Sequence, residues 1–334
     1  MPPTVDLVIP VYNESGVVEQ FHAQLRQVID ALPDEFGILY VNDGSSDGTA
    51  DDLARIAASD QRVTVLELSR NFGHQAALSA GLARAEGDVV ISLDGDGQHP
   101  PALIPEMLKL VEQGYDIVQT QRLDDAQGAS FKHVTSRGFY WLINRMSGTP
   151  IQPGAADFRA MSRRAVDALV SMPEYHRFLR GMVSWIGFPT VILPYQPPKR
   201  LGGSSKYSLK KMLRLAGDAV FSFSLMPLYL GISLGGLFLL LAVLEVIYVL
   251  SFWVTGRQST LEPGWSSLMF VLLIVGGVIM ILLGFIGMYI GYIFQEVKRR
   301  PVFIVRREYG GKNNESASQR VGDSASQRVD ETLG

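Results

Sequence analysis

The sequence predicts an α/β domain with a mostly parallel sheet, followed by an amphipathic interfacial helix and a transmembrane pair of helices. Three observations carry this expectation. Over the first third of the chain, short β-branched runs alternate with stretches of helical period. Further on, Leu225 to Val254 and Ser266 to Phe294 are nearly uninterrupted apolar runs, each longer than the about 20 residues a bilayer crossing needs. Beyond Gly310 the composition turns polar and repeats Ser-Ala-Ser-Gln-Arg-Val, which reads as a disordered tail over 311–334.

Taken in order, Val5 to Pro10, Gly37 to Val41, Val63 to Leu68, Asp88 to Leu93 and Asp116 to Thr120 are predicted strands, bounded by Gly, Asn and Asp. Between them, Val17 to Leu32, Gly48 to Ala58, Gly73 to Ala85 and Pro101 to Glu112 carry apolar residues at helical spacing. Strand-helix alternation of this kind gives parallel neighbours, with ligands at the carboxyl ends of the strands. The soluble domain is expected over 1–200.

From 201 to 224 a basic loop leads into a helix. Ser208 to Phe223 puts Leu209, Met212, Leu213, Ala216, Val220 and Phe223 on one face and Lys210, Lys211, Arg214 and Asp218 elsewhere, as a helix lying in a membrane interface would. An ordinary helix packed on the soluble domain would share that pattern. The two spans occupy 225–297 (about 225–254 and 266–294), and a basic cytoplasmic segment, 298–310, follows. It holds Lys298, Arg299, Arg300, Arg306 and Arg307, whereas the connection between the spans holds Arg257 against Glu262. The positive-inside rule therefore places both ends of the hairpin in the cytoplasm. No basic-then-apolar segment opens the chain, so the first domain is expected to stay cytoplasmic too. Gly231, Gly235, Gly284, Gly287 and Gly291 would let helices approach closely, a pattern that fits a homo-oligomer and also fits the ordinary glycine content of membrane helices.

Composition narrows the chemistry. A net charge of -3 argues against a nucleic-acid binder, whose affinity comes from excess Lys and Arg. With no cysteine there is no disulfide framework, thiolate metal site or cysteine nucleophile. The first strand runs into Val11-Tyr12-Asn13-Glu14 and not into Gly-x-Gly-x-x-Gly, against a dehydrogenase.

Asp94-Gly95-Asp96-Gly97-Gln98 follows an apolar strand directly. Two carboxylates one residue apart there can converge on a hard cation that also bridges a diphosphate, and oxygen ligands select Mg2+ or Mn2+ over zinc. Away from a strand end, Asp-x-Asp is an ordinary turn. Pro10, Tyr12 and Glu14 close the first strand, and Asn42-Asp43-Gly44-Ser45-Ser46-Asp47-Gly48-Thr49 closes the second, on the same sheet edge. Asp43 can accept the ring N–H of a uracil, and Tyr12 offers a flat face for the base. Helix capping accounts for Ser46 and Asp47 but leaves Glu14 and Asp43 unexplained.

These segments, in this order and spacing, resemble the family-2 glycosyltransferases, whose nucleotide-sugar domain has the GT-A fold. Leu93 to Pro101 joined to a C-terminal pair of spans looks like the polyprenyl-phosphate branch, dolichol-phosphate mannose synthases and above all the bacterial two-span bactoprenol glucosyltransferases. The resemblance implies a membrane-bound enzyme of the bacterial inner membrane that transfers glucose from UDP-glucose to undecaprenyl phosphate by a single inverting displacement. It assigns Asp94, Asp96 and Gln98 to the metal and Pro10, Tyr12, Glu14, Asp43 and Asp94 to the nucleotide-sugar. The lipid phosphate goes to Arg122, Lys132, Ser136, Arg200, Ser205 and Lys206. Asp94, Asp96 and Asp157 are its catalytic residues, with Asp157 in the sugar pocket of Gly154-Ala155-Ala156-Asp157-Phe158-Arg159, where it either orients a hydroxyl, accepts a proton or bridges to Arg159. Ala156 departs slightly from the family pattern. Other donors (GDP-mannose, UDP-GlcNAc, UDP-aminoarabinose) fit the same class, and the non-enzymatic alternative is a nucleotide-sugar-binding scaffold or flippase component. The Gln-x-x-Arg-Trp segment of processive synthases is missing.

Overall fold

The computed structural model describes residues 3–123, 155–196, 226–256 and 264–311, which fall into two compact units. The first is the sheet domain. Its strands are β1 (Thr4–Val11), β2 (Glu35–Asn42), β3 (Val63–Leu68), β4 (Val89–Ser92), β5 (Ile117–Arg122), β6 (Ala155–Ser162), β7 (Thr190–Tyr195) and β8 (Val305–Gly310). They form one sheet in the order β7-β5-β6-β4-β1-β2-β3-β8. The pairs β1–β2, β1–β4, β2–β3 and β5–β7 are parallel, and β6 and β8 enter antiparallel to their neighbours. The five expected strands and four expected helices are present, with ends shifted by a few residues; Pro101–Leu103 forms a 3-10 turn before its helix.

Helices cover both faces because β1 alternates. Leu7 and Ile9 join the core cluster that includes Phe21 and Leu25 of α1 (Val17–Ile29). Val8 points the other way, to α3 (His74–Arg84), which is built largely from small buried residues. At Gly81 an added Cβ would collide with Val8 Cγ1, so the glycine is what lets α3 settle onto the sheet. Among the described residues of this unit, the remaining helices are α2 (Thr49–Ser59), α4 (Ile104–Glu112), α5 (Arg163–Ser171) and α6 (Leu179–Trp185).

The second unit contains α7 (Met226–Val254) and α8 (Trp265–Val297), close to the bounds expected for the two spans. Among the described residues, one stretch, Ile274–Val297, meets the length and apolarity of a membrane span. Apolar side chains stand exposed along both helices, Leu240, Ile247, Leu272, Ile281 and Ile290 each by more than half. A helix apolar all round needs an apolar surround. Gly231 takes Leu282 of α8 against α7, whereas Gly235, Gly284, Gly287 and Gly291 face open space.

Within the expected basic segment, 298–310, the last six residues are β8, which returns to the sheet domain and closes the β3 edge. The Ser208 to Phe223 helix, Lys132, Ser136, Arg200, Ser205, Lys206 and the 312–334 tail lie outside the described residues.

Candidate functional site

Parallel topology delivers the ends of β1, β2, β4, β5 and β7 to one edge, and the antiparallel β6 presents its start, Ala155 to Asp157, at the same edge. There the loops after β1 and β2 are stitched together. Asn13 N donates to Ser45 Oγ (3.0 Å), Ser46 N to Asn13 Oδ1 (2.9 Å), Glu14 N to Thr49 Oγ1 (2.9 Å) and Ser15 N to Asp47 Oδ2 (3.2 Å). Asn13 adopts φ 53 to make the turn. Tyr12 remains 38% exposed at the rim.

Asp43 is buried, and its two oxygens accept the backbone N–H groups of Phe72 (2.7 Å) and Gly73 (2.9 Å). Burial raises its pKa against the pull of those two amides. The uracil N–H expected for Asp43 would thus be a further donor to a carboxylate already fixing the turn into α3.

Asp94 and Asp96 stand beyond β4. Gly95 between them packs so closely on β1 that a Cβ would meet Val11 Cγ1 at 2.9 Å. Asp94 N donates to His99 Nδ1 (2.8 Å), and His99 stacks on Phe158 of β6 with ring centroids 5.3 Å apart. His74, the first residue of α3, places Nε2 2.7 Å from Asp94 Oδ1. Burial alone would lower the His74 pKa, but Asp94, its hydrogen bond and the Asp157 charge together push it up to about 9. Burial likewise opposes charge on Asp94, and His99 and His74 outweigh it to hold the carboxyl below its usual range. Asp96 Oδ1 accepts the Gln98 N–H (3.0 Å).

Asp157 is buried between two guanidiniums. Arg159 NH2 donates to Oδ1 (2.7 Å), while Arg180 of α6 donates from Nε to Oδ1 (3.2 Å) and from NH2 to Oδ2 (3.0 Å). Burial opposes its ionisation, yet Arg180 and Arg159 hold its pKa far below the usual carboxylate range. The start of β6 is pinned by Ser92 Oγ on Asp157 O (2.7 Å) and Gln119 Nε2 on Ala156 O (2.6 Å). Tyr195, at the end of β7, is buried, and burial is the main cause pushing its phenol up to about 12, with Asp94 and Asp96 raising it and Arg122 and Arg180 lowering it.

The expected residues Pro10, Tyr12, Glu14, Asp43, Asp94, Asp96, Gln98, Arg122 and Asp157 therefore all sit at this edge, and the bridge from Asp157 to Arg159 is present. His74, His99, Arg180 and Tyr195 were not expected. His74 carried a usable signal, since a histidine opening a helix after a strand falls on the ligand edge; Arg180, on a helix beyond β6, carried none.

Among the described residues no group of three or more His, Asp and Glu is arranged to hold a metal ion by itself. The donor set nevertheless fits a cation shared with a ligand, because Asp94, Asp96 and Gln98 offer only oxygen ligands and the remaining positions would fall to diphosphate and water.

The model for "Glycosyl transferase family 2" matches residues 6–170. An uncharacterized glycosyltransferase of Bacillus subtilis, YkcC, is 39% identical over 92% of this chain and 94% of its own length. The chain belongs to glycosyl transferase family 2. As a family-2 glycosyltransferase it is an enzyme of sugar transfer, and its α/β domain with a mostly parallel sheet is GT-A-like. This family-2 glycosyltransferase is also 36% identical, over 92% of its length and 99% of the relative, to the bactoprenol glucosyl transferase of Shigella phage SfII. Mannosyl-3-phosphoglycerate synthase from Rubrobacter xylanophilus is a more distant structural neighbour, with a TM-score of 0.46 and 19% identity over 78% of each chain.

Proposed function

We propose that this enzyme transfers a hexose, glucose from UDP-glucose, to undecaprenyl phosphate at the cytoplasmic face of the bacterial inner membrane. The observation that carries the reading is the convergence of Asp94, Asp96, Asp157, Arg122 and Tyr195 on one sheet edge, in a chain alignable almost end to end with a bactoprenol glucosyl transferase.

Asp157 supports a displacement without a protein base. Both its oxygens are occupied by guanidinium donors, which stabilise the ionised form and leave it a poor proton acceptor. None is needed. A phosphate monoester, with a second pKa of about 6, is already mostly a dianion at neutral pH. Asp157 and Arg180 then position the sugar, while Arg122 faces the acceptor phosphate with the expected help of Lys132, Ser136, Arg200, Ser205 and Lys206. Tyr12 and Asp43 hold the uracil end. Asp94, Asp96 and Gln98 would hold Mg2+ or Mn2+, which when bound supplies Lewis-acid stabilisation of the departing diphosphate. Acceptor attack opposite the leaving group gives inversion, and most of the acceleration comes from alignment and electrostatics.

The two-span arrangement is supported by strand return. The chain leaves the sheet domain after β7 and re-enters it as β8, so any bilayer between must be crossed an even number of times. Two crossings, by the long apolar helices α7 and α8, are consistent with that path. Both ends of the pair then lie on the catalytic side. Assembly into a homo-oligomer through small-residue faces of α8 is part of the same proposal.

A panel of nucleotide-sugars against undecaprenyl phosphate, read by the mass of the lipid product, tests the reading. A hexosyl lipid from UDP-glucose is expected; its absence with UDP-glucose but presence with GDP-mannose, UDP-GlcNAc or UDP-aminoarabinose would move the donor assignment. No glycosyl lipid from any of them would overturn the acceptor and favour a non-transferring scaffold.

A further inference from the structure

His74 has no part in the roles above, yet it makes one of the short polar contacts of the site. Its Nε2 lies 2.7 Å from Asp94 Oδ1, on a ring that is 40% exposed. Its place is set by backbone, because Asp43 accepts both the Phe72 and the Gly73 N–H groups and fixes the turn, with Gly73 at φ 100, that starts α3. On the other side the Asp94 backbone N–H donates to His99 Nδ1 (2.8 Å), and that same nitrogen stands 3.6 Å from Asp94 Oδ2, beyond hydrogen-bond reach. The carboxylate is thereby tied at one oxygen by an imidazole N–H and at its main chain by a second imidazole.

We propose that His74 is a positioning residue that fixes the Asp94 carboxylate with Oδ1 hydrogen-bonded and Oδ2 presented as a single ligand to a divalent cation. Cations of the Mg2+ class demand near-ideal octahedral geometry and take carboxylates one oxygen at a time when diphosphate fills neighbouring positions. A carboxylate that rotates can chelate through both oxygens or turn away, and each excursion weakens a site with so few protein ligands. Hydrogen-bond partners of metal-binding carboxylates contribute on this scale, and their removal typically costs about 10–100-fold in metal affinity. Asp43, whose amide contacts seat His74, thus ties the nucleotide end of the cleft to its metal end. The inference rests on the reading of Asp94 as a metal ligand.

Mn2+ binding to the full-length protein in detergent, with UDP present, is the test, followed by the loss of the free-ion electron paramagnetic resonance signal. His74→Ala is expected to weaken Mn2+ about tenfold or more with an unchanged melting temperature, and His74→Gln, whose amide N–H reaches a similar point, to recover most of it. Mn2+ bound as tightly or more tightly by His74→Ala would overturn the proposal, as would His74→Gln binding no better than His74→Ala. Asp96→Ala separates the two layers. If it binds Mn2+ like the wild type, the metal reading itself fails; if it loses Mn2+ while His74→Ala does not, only the positioning role fails.

Discussion

Glu67 on β3 accepts both arms of the Arg307 guanidinium on β8, Nε to Oε2 at 2.6 Å and NH2 to Oε1 at 2.7 Å, with the Tyr309 hydroxyl adding a third donor at 3.2 Å. The carboxylate is buried and the guanidinium is 59% exposed. The two residues are 240 positions apart in the chain. Their pairing ties the segment following the second apolar helix to the catalytic sheet.

Removing Arg307 takes two of the three donors from the buried Glu67 and leaves it the Tyr309 hydroxyl, and the exposure of the arginine moderates the loss. Arg307→Ala should destabilise the sheet domain by about 1–3 kcal/mol, measured by urea denaturation in detergent. Arg307→Ala combined with Glu67→Gln should cost less than the two single losses added. Full additivity would show that the pair makes no coupled contribution.

Asp157 bears on the pH profile. Its folded pKa is depressed, so it stays ionised throughout the assayable range and supplies no acid limb to the rate. The acceptor phosphate does, and transfer should fall as pH drops through about 6. Asp157→Asn should lower kcat while keeping that limb. A wild-type limb that disappears in Asp157→Asn would assign the titration to the enzyme carboxylate.

His22 bears on stability instead. Its ring is buried with Nδ1 3.1 Å from the Tyr40 hydroxyl and Nε2 3.7 Å from Asp60 Oδ2, and it is flanked electrostatically by Arg26, Arg62 and Asp30. Burial outweighs the pull of Asp60 and lowers the pKa from 6.5. The unfolded chain therefore binds the proton more readily, and stability present above pH 6.5 is lost as pH falls toward the folded value. Melting temperature measured from pH 8 to pH 5 should drop less in His22→Gln than in the wild type. Parallel curves would exclude His22 as a source of the acid sensitivity.

Gly95 lies between the two acidic residues and against β1. A Cβ there must displace Val11 or the turn itself, moving Asp94 and Asp96 together. Gly95→Ala is expected to cut kcat/KM by about 100-fold, the scale of a 1 Å misplacement, while the protein stays folded by circular dichroism. Near-wild-type turnover would mean that the turn tolerates the shift.

What could be read from the sequence follows from where burial is uniform. β1 to β4 are mostly buried strands rich in β-branched and other apolar residues, and such runs announce themselves. β6 does not, because its buried residues include Asp157 and Arg159, whose charges satisfy each other only once the chain has folded. β8 is half charged, as edge strands are, and reads as a basic stretch until Glu67 is seen opposite Arg307. In the site, Asp94 and Asp96 were legible from spacing after a strand. His74 and Arg180 belong to the site through the crossover connections, and periodicity does not report which helix ends meet.

Hexose transfer to a lipid phosphate is expected to depend on the acidic pair at the end of β4. Its most direct measurement is UDP release from UDP-glucose by the full-length protein with detergent-solubilised undecaprenyl phosphate, with and without EDTA, for wild type and Asp96→Ala. Release is expected to require both the lipid and the metal and to be lost in Asp96→Ala. Wild-type release from Asp96→Ala, or release undiminished by EDTA, would contradict that dependence.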